Sequence, residues 1–272
     1  MVEIDDNEFE QLSKYIKSHY GINLKTEKKY LVVGRLQQVL AEKGFTSFSQ
    51  YYNHITHDLS GEAVRTLISK ITTNHTFFMR EFEHFAYFRD TVLPWIASKE
   101  KSTKDLRIWS AGCSTGEEPY TLAMILHDYF GPDKRNWDAR ILATDISPAV
   151  IETATRGNYS SDQLNSVPEA WKKSYFRKLQ EDSWTVADNI KSEVIFRKFN
   201  LMNRQFPFKR QFHVIFCRNV MIYFDQDTKD ELINRYYEVT EPGGYLFIGH
   251  SETINRSETK YNYIKPAIYR KD

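Results

Sequence analysis

Short apolar runs alternate with amphipathic segments from Leu106 onward, and this pattern restricts the fold more than any other feature of the chain. Strands are predicted at Leu106–Ala111, Arg140–Thr144, Ile195–Phe199, Phe212–Cys217 and Tyr245–Gly249. Helices are predicted between them at Glu118–Tyr129, Pro148–Thr155 and Asp227–Val239, and a tight turn at Pro242–Gly244. Strands that alternate with helices in this way indicate βαβ units and a mostly parallel sheet.

The N-terminal part has helical spacing instead. Apolar residues recur through Phe9–Ile16 before Gly21, and further helices are predicted at Lys28–Lys43, Phe48–Ile55 and Gly61–Ile71. We therefore predict a helical domain with its linker over residues 1–83 and an α/β domain over residues 84–272. Residues 157–193 interrupt the alternation, and an insertion of this length usually carries its own structure. We predict a helix and a small antiparallel ribbon there, as a subdomain of about 159–194.

Composition excludes several classes of function. The 272 residues carry a net charge of +1, which offers no bulk field for nucleic acid or for a membrane surface. No stretch is long and apolar enough for membrane insertion, and the acidic N-terminus is not a signal peptide. We expect a cytoplasmic protein with two buried free thiols, Cys113 and Cys217. The histidines and cysteines do not have the spacing of metal ligands, so no metal site is predicted. The sequence also contains no hydrolase motif and no Walker-type phosphate-binding motif.

A glycine turn follows the first predicted strand of the α/β domain. Gly112 and Gly116 allow a ligand to approach the backbone closely, and the acidic pair Glu117-Glu118 comes next. Carboxylates at this position disfavour a diphosphate and favour a ligand with a cationic group, such as S-adenosylmethionine. Alternatively, the turn is a plain strand-to-helix connection in which the two glutamates stabilise the helix N-terminus.

Polar residues also follow two other predicted strands. Asp145 can accept hydrogen bonds from ribose hydroxyls, or else it caps the following helix. Arg218 and Asn219 emerge after the Phe212–Cys217 run, and the nearby Tyr223 ring could stabilise a sulfonium, unless it only packs in the core. Residues 73–81 combine polar and aromatic side chains; they form either part of the site or a helix start capped by Asn74.

Together these segments resemble the CheR family, the bacterial chemotaxis receptor methyltransferases. The matching pieces, in the family's order, are Asn74–Arg80, Ile108–Tyr120, Leu142–Asp145, Phe199–Leu201, Phe216–Phe224 and Gly243–Glu252. The resemblance implies a Rossmann-like S-adenosylmethionine methyltransferase domain with a small antiparallel β-subdomain inserted, preceded by an all-α domain. It implies transfer of a methyl group to glutamate side chains on the cytoplasmic helices of chemoreceptors. The products would be glutamyl methyl esters and S-adenosylhomocysteine.

The resemblance also assigns site residues by position. Those implied to contact the cofactor are Asn74, Thr76, Arg80, Glu117, Asp145, Asn200, Leu201, Arg218 and Asn219. The resemblance also places Tyr223 near the transferred methyl. We hypothesise that Arg80 orients the substrate carboxylate, so Arg80 and Tyr223 are the predicted catalytic residues. Met79 departs from the family, which more often has an aromatic residue before this arginine, and its packing is therefore in doubt.

The partners expected from the resemblance are methyl-accepting chemoreceptors. Some family members hold a peptide at the receptor C-terminus through a glycine-rich loop, but Arg177–Ile195 contains no glycine, so we expect no such tether. Lys28, Lys29 and Arg35 form either a docking surface for an acidic receptor helix or a solvated face. We expect a monomer.

Two alternatives to this function remain open. One is a methyltransferase for a small molecule, another protein or nucleic acid, and the other is a non-catalytic cofactor- or receptor-binding module. A dinucleotide oxidoreductase is disfavoured by the acidic pair.

Overall fold

The computed structural model describes residues 2–272 and divides into two compact units. The first comprises the residues up to Thr73 together with Tyr223–Thr228, and the second comprises Asn74–Ile222 with Lys229–Asp272. The predicted boundary after residue 83, between the helical domain with its linker and the α/β domain, stays a prediction.

The first unit contains the four predicted helices, with small shifts at their ends. They are α1 (Asp6–Tyr20), α2 (Lys29–Lys43), α3 (Phe48–His57) and α4 (Glu62–Ile71). Asp5 and Glu8 form a capping box at the start of α1, and glycines with positive φ, Gly21 (71°) and Gly44 (73°), end the first two helices. The buried faces of the four helices form one apolar core.

The second unit is built on a seven-stranded sheet. Its strands are β1 (Ile108–Ala111), β2 (Ile141–Asp145), β6 (Val194–Lys198), β7 (Phe212–Cys217), β8 (Thr240–Ile248), β9 (Asn262–Lys265) and β10 (Ile268–Arg270). Their order is β6-β2-β1-β7-β8-β10-β9, and the first five strands are parallel. The order reverses between β1 and β7. In open α/β sheets, ligands bind beyond the carboxyl ends of the strands at such a switch point.

Helices cover the parallel strands. They are α5 (Phe82–Tyr87), α6 (Leu93–Lys99), α7 (Glu117–Phe130), α8 (Pro148–Arg156) and α11 (Gln226–Glu238). No helix was predicted between α4 and β1. In the structure α5 and α6 lie there, joined by a π-helical turn at Phe88–Val92. Among residues 2–272, no helix combines the length and the apolar character needed to cross a bilayer.

The interruption after α8 is a separate small subdomain, as predicted. It contains β3 (Asn158–Tyr159), β4 (Phe176–Gln180) and β5 (Ser183–Val186), which pair antiparallel in the order β3-β5-β4. Two short helices, α9 (Glu169–Tyr175) and α10 (Asp188–Lys191), flank the strands.

The tight turn predicted at Pro242–Gly244 is wrong, because these residues lie inside β8. The Gly243 N–H donates to the Lys271 carbonyl at 2.9 Å, and the Lys271 N–H donates to the Gly244 carbonyl at 2.9 Å. Pairing with the C-terminal residues thus continues the strand through a segment whose composition is typical of turns. The C-terminal antiparallel strands β9 and β10 were also not predicted.

The core of the second unit is aromatic on both faces of the sheet. Trp109 of β1 is fully buried and donates from Nε1 to the Thr144 hydroxyl of β2 at 2.9 Å. On β7 and β8, Phe216 and Phe247 stack with their ring centroids 4.4 Å apart. Burial on both faces explains why these strands are continuous apolar runs.

Replacement of Gly116 by alanine should destabilise the protein. Gly116 has φ of 99°, and a Cβ atom there would lie 2.9 Å from Ala154 Cβ. We expect Gly116→Ala to lower the free energy of unfolding by about 1–3 kcal/mol, measured by urea denaturation. Gly34 is the matched control, because nothing lies within 4 Å of its added Cβ in helix α2. Gly34→Ala should raise stability by about 0.5–1 kcal/mol. Equal stability of the two variants would contradict the packing described for the turn.

Candidate active site

Asp145 links two loops at the carboxyl end of the sheet. Its carboxylate accepts the Ser114 N–H at 3.0 Å, from the turn after β1, and the Ser147 N–H at 2.9 Å, from the turn after β2. Burial raises the pKa of Asp145 above its usual value, and the backbone donors act in the opposite direction. Asp145 thus fixes the glycine turn against the end of β2.

The glycine turn also packs against the segment after β7. The N–H groups of Gly112 and Cys113 donate to the Thr144 carbonyl at 2.7 and 2.9 Å. A Cβ atom at Gly112, whose φ is 88°, would overlap the Val220 side chain, so the two segments touch only because residue 112 is glycine. The turn, the end of β2 and the segment after β7 therefore form one continuous edge.

Glu117 opens helix α7 from this turn. Its side chain is almost fully buried, and both carboxylate oxygens accept from the Thr115 hydroxyl, at 2.9 and 2.7 Å. Burial raises the pKa of Glu117, because the low-dielectric surroundings disfavour its negative charge. A cationic group bound beside this carboxylate would stabilise the ionised form.

Arg218 forms hydrogen bonds with several groups of the edge. Its side chain is only 3% exposed, and its guanidinium donates to Glu118 at 3.0 Å and to Glu81 at 3.2 Å. It also donates to the Arg80 carbonyl and lies 5.1 Å over the Phe85 ring. Three segments are joined by this one charge: the segment after β7, the start of α7 and the stretch that precedes α5.

Glu81 is a polar partner that the sequence did not reveal. One carboxylate oxygen binds Arg218, and the other accepts the Asn219 amide and the His250 N–H, both at 3.2 Å. Burial alone would raise its pKa, but the Arg218 charge and these donors hold the pKa of Glu81 below its usual value. Its charge therefore balances the buried guanidinium.

Glu252 is a second residue whose role was not predicted. Its buried carboxylate accepts three backbone N–H groups: Gly249 at 2.6 Å, Asn219 at 2.9 Å and Ile222 at 3.2 Å. Burial raises the pKa of Glu252, and the backbone donors oppose the shift. Asn219 has a positive φ of 59°, and these bonds hold the segment after β7 in that conformation. The matching segment Gly243–Glu252 had marked this residue without assigning it a function.

Residues 74–81 are an irregular segment, so the alternative of a helix capped by Asn74 is wrong. The Asn74 carbonyl accepts the Ser114 hydroxyl at 3.2 Å, and Thr76 is half-buried. The Phe78 ring is buried against Tyr159 and Phe176, with centroids 4.9 and 5.5 Å away.

The Arg80 side chain packs against its own segment, residues 74–81. Its guanidinium donates to the His75 carbonyl at 2.7 Å and lies 5.9 Å from the Phe77 ring centroid. Its neighbours Met79 and Glu81 both have positive φ, 62° and 55°. Such backbone conformations cost about 1–3 kcal/mol for residues other than glycine and concentrate at functional sites.

Asn200 and Leu201 follow β6 at the same edge. The Phe199 N–H donates to the Asp145 carbonyl at 2.9 Å, which places the two residues directly after the end of β2. Asn200 accepts the Met202 N–H at 2.9 Å, and the Leu201 carbonyl accepts from Arg235 at 2.7 Å.

Tyr223 groups with the first unit. Its hydroxyl donates to the Thr73 carbonyl at 3.3 Å, its carbonyl accepts the Asn23 N–H at 2.8 Å, and the Lys28 ammonium lies 5.8 Å from its ring. Its expected position beside the transferred methyl stays a prediction.

The edge of the second unit carries more acidic than basic side chains. Two arginines, Arg80 and Arg218, accompany five carboxyl groups: Glu81, Glu117, Glu118, Asp145 and Glu252. This balance suits a ligand with cationic groups, such as a sulfonium and an ammonium, and disfavours a diphosphate.

Two family matches cover nearly the whole chain. Residues 7–72 match the all-alpha domain of the CheR methyltransferases, and residues 74–269 match the S-adenosylmethionine-binding domain of the same family. The chain belongs to the CheR methyltransferase family. The resemblance deduced from the motifs is thereby confirmed, and so are the all-α domain and the methyltransferase domain with its small antiparallel sheet.

Curated relatives match over similar lengths. The chain is 42% identical to the chemotaxis protein methyltransferase of Borreliella burgdorferi, over 100% of this chain and 96% of that protein. It is 36% identical to a probable chemotaxis protein methyltransferase of Rhizobium etli, over 94% and 99% of the two chains. It is 33% identical to the chemotaxis protein methyltransferase of Escherichia coli, over 98% of this chain and 91% of that protein. A solved glycopeptide N-methyltransferase, MtfA with S-adenosyl-L-methionine, aligns at a TM-score of 0.33 and 10% identity over 59% of this chain and 48% of that one, and adds nothing to the assignment.

The ion pair of Glu81 predicts a specific acid dependence of stability. Because the pKa of Glu81 in the folded protein lies below its ordinary 4.5, the unfolded chain binds more protons between those two values. The contribution of Glu81 to the free energy of unfolding is therefore fully present above pH 4.5. It is lost as the pH falls through the pKa that Glu81 has in the folded protein. Glu81→Gln should show a shallower loss of unfolding free energy with acid than the parent, measured by urea denaturation. Exposed Glu83→Gln is the control. A Glu81→Gln slope equal to that of the parent would contradict the ion pair.

Proposed function

We propose that this protein transfers the methyl group of S-adenosylmethionine to glutamate side chains of methyl-accepting chemoreceptors, forming glutamyl methyl esters and S-adenosylhomocysteine. The family's cofactor-binding domain and three relatives named as chemotaxis protein methyltransferases support it. The observation that carries the proposal is the acidic edge at the switch point, where Asp145 and the Glu81–Arg218–Glu118 ion pairs join the loops after β1, β2 and β7.

Each residue of this edge has a chemical task in the proposal. Asp145 accepts the ribose hydroxyls, as acidic residues after the second strand of such sheets do. Glu117 and the surrounding carboxylates favour the cationic amino-acid end, while Arg218 and Asn219 keep the loop after β7 in place. Asn200 and Leu201 line the adenine end. Asn74, Thr76 and Arg80 contact the cofactor from the irregular segment that precedes α5.

The reaction requires no general base. A glutamate with an ordinary pKa near 4.3 is more than about 99% ionised at pH 7. The bound cofactor supplies an activated methyl: a carboxylate oxygen bonds to the methyl carbon as the carbon–sulfur bond breaks, and the electron pair remains on sulfur. This chain's residues have only to align the reactants and exclude water, which can lower the barrier by about 7–11 kcal/mol.

Arg80 and Tyr223 are the proposed catalytic residues. Arg80 orients the substrate carboxylate. Among residues 2–272 its guanidinium is held by one carbonyl and a ring face, so it can turn toward a substrate. Too strong a hold on the anion would stabilise the ground state and raise the barrier. The proposed role of Tyr223 is to stabilise the sulfonium through its aromatic face.

The receptor-docking surface is proposed at the start of α2. Lys28 is followed closely in the sequence by two exposed apolar side chains, Tyr30 at 88% and Leu31 at 47% exposure. Arg35, which the sequence had grouped with Lys28, donates instead to the Ile71 carbonyl at 2.8 Å and to the Thr73 hydroxyl at 2.9 Å. These contacts favour a structural role for Arg35. Lys29 pairs with Asp6 at 2.7 Å.

We also propose that no C-terminal receptor peptide is needed for docking. Strands β4 and β5 are joined by only two residues, Glu181 and Asp182, and neither is glycine. A long glycine-rich loop, which marks the tethered relatives in the resemblance described above, has no counterpart between these strands. We further propose that the enzyme acts in the cytoplasm as a monomer.

The decisive experiment is incubation with S-adenosylmethionine labelled in the methyl group and with chemoreceptor signalling domains. The proposal expects label on the receptor that is released by mild base, as methyl esters are, and methylated peptides that map to glutamates. Base-stable label, or label only on a small molecule or nucleic acid, would contradict the glutamate assignment. Cofactor binding without turnover on any receptor would favour the non-catalytic alternative.

Replacement of Tyr223 separates catalysis from binding. Tyr223→Ala should reduce kcat for receptor methylation, while the affinity for S-adenosylhomocysteine, measured by calorimetry, changes much less. Tyr223→Phe retains the aromatic face and should keep most of the activity, and Tyr52→Ala in helix α3 is the control. An equal loss of turnover and of affinity would show that Tyr223 only packs or binds.

Charge reversal tests the docking surface. Lys28→Glu should lower kcat/KM for the receptor, with the loss shrinking at higher ionic strength, because rim charges act mainly on association. Affinity for S-adenosylhomocysteine should be unchanged. Lys14→Glu, at an exposed position of α1, is the matched control. Equal rates for both variants and the parent would remove the start of α2 from the docking proposal.

A further inference from the structure

A glutamate and two histidines converge beside Arg218. Glu81 precedes helix α5 and His84 lies in its first turn, with His84 Nδ1 3.3 Å from a Glu81 oxygen. His250 follows β8, and its ring centroid lies 4.5 Å from that of His84. One ligand atom from each of the three residues lies within 4.8 Å of the others. The sequence predicted no metal, because only the fold brings residue 250 to the Glu-x-x-His pair.

The His84 imidazole is buried without hydrogen bonds. The residue is 1% exposed, and neither ring nitrogen has a hydrogen-bond partner in the part of the chain that the structure describes. Its Nδ1 is 3.3 Å from a Glu81 oxygen, but the contact lacks hydrogen-bond alignment. Burial of a polar group without a partner is unfavourable, because the group loses its hydrogen bonds to water and gains none in return. An ion held between His84 and Glu81 would give the buried imidazole a partner.

The donor set specifies the class of ion. Two imidazoles and one carboxylate suit zinc and related divalent transition metals, with a fourth position left for water. Exposed His250 leaves a path for entry from solvent. The second Glu81 oxygen is already oriented by the Asn219 amide and the His250 N–H, the kind of outer contact that positions ligating carboxylates.

Two features oppose tight binding. The Arg218 guanidinium lies 3.2 Å from the Glu81 oxygen that faces His84, and its charge repels a cation. Tetrahedral bonds of about 2.0–2.2 Å hold two ligand atoms about 3.4 Å apart. The Glu81 oxygen and His84 Nδ1 already lie 3.3 Å apart, so His250 is the ligand that has to approach. His250, exposed after β8, is the group free to move inward.

We propose that Glu81, His84 and His250 form a binding site for a divalent transition metal of the zinc class, and that the bound ion weakens cofactor binding. The ion would draw Glu81 away from Arg218 and Asn219 and push the guanidinium outward. This coupling rests on the proposed cofactor contacts of those two residues, whereas the metal site itself does not.

The metal site is tested with the full-length protein free of cofactor. We expect calorimetry with Zn²⁺ to show one ion per chain, and Co²⁺ to give tetrahedral absorption bands without a thiolate charge-transfer band, because Cys113 and Cys217 are buried elsewhere. His250→Gln, an exposed change that should not disturb folding, should weaken binding at least about tenfold. His84→Gln should do the same, and exposed His57→Gln should have no effect. Absence of stoichiometric binding, or unchanged affinity in His250→Gln, would overturn the site.

The coupling is tested by titrating S-adenosylhomocysteine with and without saturating Zn²⁺. We expect the ion to weaken binding several-fold in the parent and in His57→Gln but not in His250→Gln, with a reciprocal loss of Zn²⁺ affinity when the nucleoside is bound. Unchanged nucleoside affinity in the zinc-loaded parent would overturn the coupling. Failure to bind the nucleoside without metal would count against the proposed function instead.

Discussion

The buried guanidinium of Arg218 is the interaction on which the site depends. Removing a charged group from water is costly, and only the two carboxylates of Glu81 and Glu118 make its burial tolerable. These carboxylates come from different segments, so the charge balance is met only when the stretch before α5, the start of α7 and the end of β7 are together. An unpaired buried charge is strongly unfavourable. The need to pair Arg218 with both carboxylates therefore favours this arrangement over arrangements in which the three segments are apart.

The other polar contacts extend that arrangement along the edge of the sheet. Asp145 ties the glycine turn to β2, and Glu252 holds the segment after β7 through three backbone N–H groups. Glycine is required where the turn meets Val220. The result is an edge with excess negative charge, held in place by hydrogen bonds, as a site for a sulfonium compound needs. Pre-formed dipoles and charges also need no reorganisation when the methyl is transferred.

Much of this could be predicted from the sequence because the information is local. Apolar runs such as Phe212–Cys217 and the glycine turn indicated the parallel strands and their polar ends, and the ordered motifs indicated the family. Contacts between distant segments could not be predicted in this way. Glu81, Glu252 and the continuation of β8 through Pro242–Gly244 depend on partners that only the folded chain supplies, and Arg35 turned out to bind the end of α4. Burial of His84 beside Glu81 and His250 is likewise a product of topology.

The most direct test of the central claim is calorimetry of S-adenosylhomocysteine with the parent and with Arg218→Lys. Lysine keeps the positive charge but cannot reach both carboxylates and the Arg80 carbonyl with one planar group. If Arg218 organises the site, the variant should remain folded by circular dichroism and bind at least about tenfold more weakly, which corresponds to about 1.4 kcal/mol. Unchanged affinity in a folded Arg218→Lys protein would contradict the account.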